Sequence, residues 1–81
     1  MPVIFTHRGF RFFFFSNEGD PREPVHVHVR KGSQLAKFWL KPQARLAESY
    51  GFSAPELNQL AKVVENRSKE IGEAWNEYFG I

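Results

Sequence analysis

The stretch His26-Val27-His28 holds the residues best suited to chemistry. Strand residues two apart point to the same side, so both imidazoles would leave one face about 6.7 Å apart along the chain. Neutral imidazole ligates zinc, iron, nickel or copper well. A strand-borne His-x-His pair could therefore chelate a divalent metal through His26 and His28. A catalytic zinc needs a third protein ligand. His7, Glu23 and Glu48 are candidates for it, none at a diagnostic spacing. The same pair also suits general acid–base chemistry in RNA cleavage. His26 or His28 would move protons while Arg11, Arg30 or Lys37 held the phosphate. The plainer alternative is two polar side chains on the solvent side of a sheet. Glu23 reads most simply as a solvated loop residue, and Pro2, whose amine could act as a base once Met1 is removed, has no supporting residues.

The elements that must carry these residues are mostly strands. Val3–Thr6, Phe10–Phe15, Val25–Arg30 and Leu35–Lys41 are rich in β-branched and aromatic residues and alternate with a period of two. His7-Arg8-Gly9 and Lys31-Gly32-Ser33 supply turns, residues 17–24 form a polar loop with two prolines, and Pro42 stops strand four. A short fifth strand fits Arg45–Glu48. From residue 53 the pattern becomes helical. Ser53-Ala54-Pro55-Glu56 has the form of a capping box, and Phe52 and Leu57 stand at hydrophobic-staple positions. Leu57, Leu60, Ala61, Val64, Ile71, Trp75 and Tyr78 then recur near helical spacing. One helix over 54–79 would be about 39 Å long, against strands of roughly 20 Å. The spacing therefore predicts a kink or a split near residues 66–68. The expectation is one α+β domain over 1–81, an antiparallel sheet of four or five strands covered on one face by the C-terminal helix.

Strand parity sorts the sheet into two faces. Phe10, Phe12, Phe14, Val25, Val27, Val29, Ala36, Phe38 and Leu40 share the core side under the helical stripe. The opposite face collects Arg11, Phe13, Phe15, His26, His28, Arg30, Lys37, Trp39 and Lys41. Basic and aromatic side chains on one sheet face resemble the platforms that stack bases and hold phosphates. Arg11, Phe13, Phe15, Arg30, Lys37, Trp39 and Lys41 are thus the candidate binding residues. The competing reading is that the rings are covered by Trp75 and Phe79 or by a second copy of the chain, as exposed aromatics commonly mark an interface.

Composition narrows the function classes. The 81 residues include nine Phe, two Trp and two Tyr but no Cys, so disulfides and thiolate metal sites are excluded. Residues 1–45 carry eight Lys/Arg against three Asp/Glu, net +5, and residues 46–81 carry three against six, net −3. Such a polarised surface bears on partners rather than on fold. No apolar run is long enough to span a bilayer, and the start lacks the basic and apolar regions of a signal peptide. A cytoplasmic protein with no membrane partner is expected.

The whole pattern also resembles a known family. Met1-Pro2-Val3-Ile4, Gly9-Phe10-Arg11-Phe12, Glu23-Pro24-Val25-His26-Val27-His28-Val29, Ala36-Lys37-Phe38-Trp39-Leu40, Gly51-Phe52-Ser53, Glu56-Leu57 and Ala74-Trp75-Asn76-Glu77-Tyr78-Phe79 are similar to the small prokaryotic domain-of-unknown-function family DUF4160. Many members have Pro-Pro-His where this chain has Pro24-Val25-His26. The resemblance implies a component of a toxin–antitoxin-like pair and carries over no catalytic residues. The expectation is a small interaction protein using its basic, aromatic sheet face to bind RNA, a small cognate partner protein, or a second copy of itself. The alternatives are a ribonuclease and a divalent-metal-binding protein, both through His26 and His28.

Overall fold

The computed structural model describes residues 2–16 and 23–80. Most of the polar loop expected at 17–24 lies outside the described residues. The order is β1 (Val3–His7), β2 (Phe10–Phe13), β3 (His26–Lys31), β4 (Gln34–Trp39), β5 (Arg45–Tyr50), α1 (Ala54–Asn66) and α2 (Ser68–Phe79). The strands form one antiparallel meander in the order β1-β2-β3-β4-β5. The fold is α+β, as the patterning predicts, and the fifth strand is formed.

Two tight turns set the register. In β1–β2 the loop residues Arg8 and Gly9 both have positive φ, 52° and 84°, the pattern of a type I′ turn, whose twist matches that of the strands. In β3–β4 Gly32 takes φ 60°, which costs a residue without Cβ nothing. Two bulges adjust the faces. Ile4 is the extra residue between the pairs Val3–Phe13 and Phe5–Phe12, so both Ile4 and Phe5 pack against the core. Ala47 is the extra residue between Lys37–Glu48 and Phe38–Leu46. β2 and β4 end two residues earlier than their patterns suggest. The ladder nevertheless continues through single bonds, Phe14 N–H to the Pro2 carbonyl at 3.1 Å and Leu40 N–H to the Val25 carbonyl at 3.2 Å.

The core lies between the sheet and the helices. Phe12, Phe14, Val27, Val29, Ala36, Phe38 and Leu40 of the inner face are buried with Leu60, Val64, Ile71 and Trp75 of the helices, and Phe10 and Val25 close its margin. Each fully buried Val, Leu, Ile or Phe contributes about 1.5–3 kcal/mol. Tyr78, expected in the helical stripe, is exposed. Phe79 takes that role, packing on Phe14 and Trp75.

The helix is bent where its apolar stripe lapses. Arg67 has φ −110° and ψ 19°, yet its N–H still bonds the Val63 carbonyl and its carbonyl accepts from Ile71, both at 3.0 Å. The break is a kink that keeps both halves on the sheet. α1 begins with the expected capping box. Ser53 Oγ accepts the Glu56 N–H at 3.3 Å, and the Ser53 N–H donates to Glu56 Oε1 at 2.8 Å. The bond from the Ser53 N–H foremost, and next the Ser53 side chain, hold the Glu56 carboxyl below its usual pKa, aided by the positive charge of Lys31.

Candidate functional site

Alternation along β2, β3 and β4 does put the singled-out residues of these strands on one side of the sheet. Cross-strand pairing arranges them in rows: Thr6, Arg11, Arg30, Leu35 and Tyr50; then Val3, Phe13, His28, Lys37 and Glu48; then His26, Trp39 and Arg45.

The centre of this face is closed, which rules out the open platform among the readings of the outer face. Phe13 is 2% exposed, His28 6% and His26 0%. The rings consume one another's surface. His28 meets the Phe15 ring at 4.5 Å and the Phe13 ring at 5.6 Å, and Phe13 and Phe15 lie edge to face at 5.1 Å. His26 stands edge-on to His28 at 5.2 Å, to Trp39 at 5.5 Å and to Trp75 at 5.0 Å. Trp75 thus reaches the outer layer at His26, while Phe79 packs on the helical side with Phe14. A strand face predicts direction, whereas burial depends on how side chains of neighbouring strands fill the space above it. Five rings on adjacent positions crowd it.

His26 is oriented by the backbone. Its Nδ1 lies 2.8 Å from the Pro24 carbonyl oxygen. A carbonyl only accepts, so Nδ1 carries the hydrogen. The third-ligand candidates do not join the pair. Glu23 pairs with Lys37 instead, at 3.5 Å. Glu48 is two strands from His28 in its row, roughly 9–10 Å at ordinary strand spacing. His7 adjoins the β1–β2 turn, opposite Phe10. Among the described residues no three His, Asp or Glu converge as metal ligands.

What the face does present is a cationic border. Arg11 is exposed and Arg30 partly so. They stand directly opposite each other on β2 and β3, and the Arg30 guanidinium carbon lies 5.7 Å from the Phe13 ring centre. Lys37 extends over Trp39, its Nζ 4.5 Å from the ring centre. Lys41 departs from the expectation. It follows β4 and lines a hollow against α2 with Glu65, Lys69 and Glu73, apart from the rows. Parity along the first four strands missed Arg45, opposite Trp39, and Tyr50, 63% exposed and in the row of the two arginines. The Ala47 bulge hides Arg45, which shares a face with Glu48 although three residues apart, and Tyr50 lies beyond the Glu48 end expected for the strand. The acidic side chains Glu65, Glu70, Glu73 and Glu77 lie on the helices. No helix among the described residues is long and apolar enough to cross a membrane.

The fold and this face define a small α+β domain, a five-stranded meander with helices on one side and a closed histidine–aromatic layer on the other. The chain belongs to the domain-of-unknown-function family DUF4160, whose model matches residues 9–76. No match to a curated protein or to a solved structure was found.

Proposed function

We propose that this chain is a small cytoplasmic binding module that holds single-stranded RNA along the cationic border of its outer sheet face. The observation that supports it is the separation of charge across the fold. Arg11, Arg30, Lys37 and Arg45 edge the outer face and outnumber its acids Glu23 and Glu48, while α2 presents Glu70, Glu73 and Glu77. Cations on one surface attract a polyanion and supply most of a salt-sensitive affinity. The exposed Tyr50 ring, in the row of Arg11 and Arg30, offers a stacking surface of the kind that single-stranded binders use. The closed histidine layer favours binding without cleavage. A general base must come within hydrogen-bond reach of the ribose hydroxyl, and the His26 ring has no exposed surface.

Anisotropy of a short labelled single-stranded RNA tests this. Affinity should fall with salt, and each cation engaged should contribute about 0.7 to the log–log slope. Lys37→Glu with Arg45→Glu should weaken binding at low salt by about tenfold or more. Equal affinity in the parent and this variant would sink the reading. We extend the proposal to a toxin–antitoxin-like pair on the family resemblance alone. A stable complex with a small cognate protein on co-expression would support that extension, and its absence would remove it.

A further inference from the structure

The turns β1–β2 and β3–β4 lie at the same end of the sheet. Between them is a hollow of about 240 Å3 lined by Gly9, Arg11, Arg30, Lys31 and Gly32. Three of those five residues are cations and none is an acid. Arg11 and Arg30 are cross-strand neighbours, and like charges placed directly opposite destabilise a sheet. Among the described residues neither forms an ion pair with a carboxylate. Lys31, one position on from Arg30, turns to the helical side instead, its Nζ 4.8 Å from the Phe10 ring centre and in electrostatic reach of Glu56 of α1. The turns leave space. A Cβ at Gly32 would meet nothing within 4 Å, and one at Gly9 would meet only the end of the Lys31 side chain, from 3.7 Å.

We propose that this hollow is a seat for one phosphate group, held between the Arg11 and Arg30 guanidinium groups. A guanidinium presents two parallel N–H donors that match adjacent phosphate oxygens, and an anion between the two arginines turns their repulsion into attraction. The inference deepens the RNA-binding reading and rests on it for the ligand's source. The phosphate is either the terminal monoester of a strand or a diester within it. Two guanidinium groups facing one phosphate match the charge of the doubly charged terminal monoester.

The test is an NMR titration of the full chain with sodium phosphate, compared with sodium chloride at matched ionic strength. It follows the Gly9 and Gly32 amides and the Arg11 and Arg30 Nε–H signals. Phosphate should give saturable shifts at these signals and chloride should not. Arg11→Gln or Arg30→Gln should weaken phosphate binding by about tenfold, the loss of a charge-assisted contact. Identical responses to the two salts in the parent protein overturn the seat, whether or not the variants fold. RNA carrying a 5′-phosphate and RNA carrying a 5′-hydroxyl then separate the sources. Tighter binding of the former assigns a terminal phosphate, and equal binding, weakened in both variants, assigns the backbone. If phosphate saturates the seat and RNA does not bind, the RNA reading falls and the seat stands. If RNA binds and phosphate moves none of these signals, the seat falls and the RNA reading stands.

Discussion

The guanidinium carbon of Arg67 lies 3.5 Å from the centre of the Phe5 ring. This contact joins the kink between α1 and α2 to the edge strand β1. Glu70 grips the same guanidinium, Nε to Oε1 at 2.9 Å and Nη2 to Oε2 at 3.1 Å, and Phe5 in turn stacks on the buried Phe12 at 4.5 Å. The chain bends at Arg67, where a polar residue interrupts the apolar stripe. Its side chain turns that interruption into a contact with the sheet.

Removing that stack should cost more than removing the ion pair beside it. Arg67→Ala is expected to destabilise by about 1–2 kcal/mol, since it loses a cation–π contact and the packing of its stem. Glu70→Ala should lose under about 1 kcal/mol, the usual worth of a solvent-exposed pair. Urea denaturation of both variants decides it. Equal losses would mean that the Phe5 contact contributes nothing.

His26 should behave as a structural residue. It is fully buried, bonded to the Pro24 carbonyl and packed between Trp39 and Trp75. His26→Ala opens a cavity and loses the bond to the Pro24 carbonyl, so a loss of about 2–4 kcal/mol is expected. His26→Phe should recover part of the packing and none of the hydrogen bond. Thermal unfolding measures both. An alanine variant as stable as the parent would show that the ring can leave the layer freely.

The capping box predicts a pH dependence of definite sign. Glu56 has its carboxyl pKa lowered from the ordinary 4.5, chiefly by the backbone bond from Ser53 and next by that residue's side chain. A depressed folded-state pKa means that the stabilisation is fully present above the unfolded value and is lost as pH falls through the folded one. Stability of the parent should therefore decline as pH drops below 4.5. Glu56→Gln should remove that share of the decline while keeping a bond to the Ser53 N–H. Ser53→Ala should cost about 1 kcal/mol at neutral pH. Parallel pH profiles of parent and Glu56→Gln in circular dichroism would contradict the linkage.

Much of this fold follows from local rules. Alternation in Val25–Arg30 and Leu35–Lys41 assigns Val27, Val29, Ala36 and Phe38 to the core side, and they are buried there. Ser53 and Glu56 mark the start of α1, and the polar pair Arg67-Ser68 marks the bend, because a capping box and an apolar stripe are properties of a few adjacent residues. The outer face was only half readable. Its membership came from parity, but the Ala47 bulge hid Arg45, Tyr50 lay beyond the expected end of the fifth strand, and the position of Lys41 after β4 moved it to the helical side.

By itself, then, the amino-acid order determined which side of the sheet each residue of β2, β3 and β4 takes and where the helical segment starts and bends. Both depend on backbone geometry that repeats every few residues. Tertiary structure alone decided that Phe13, His26 and His28 would be shut away while Arg11, Arg30 and Tyr50 stayed open. Exposure is a sum over neighbours brought together from distant strands and from α2, and no stretch of chain carries that sum.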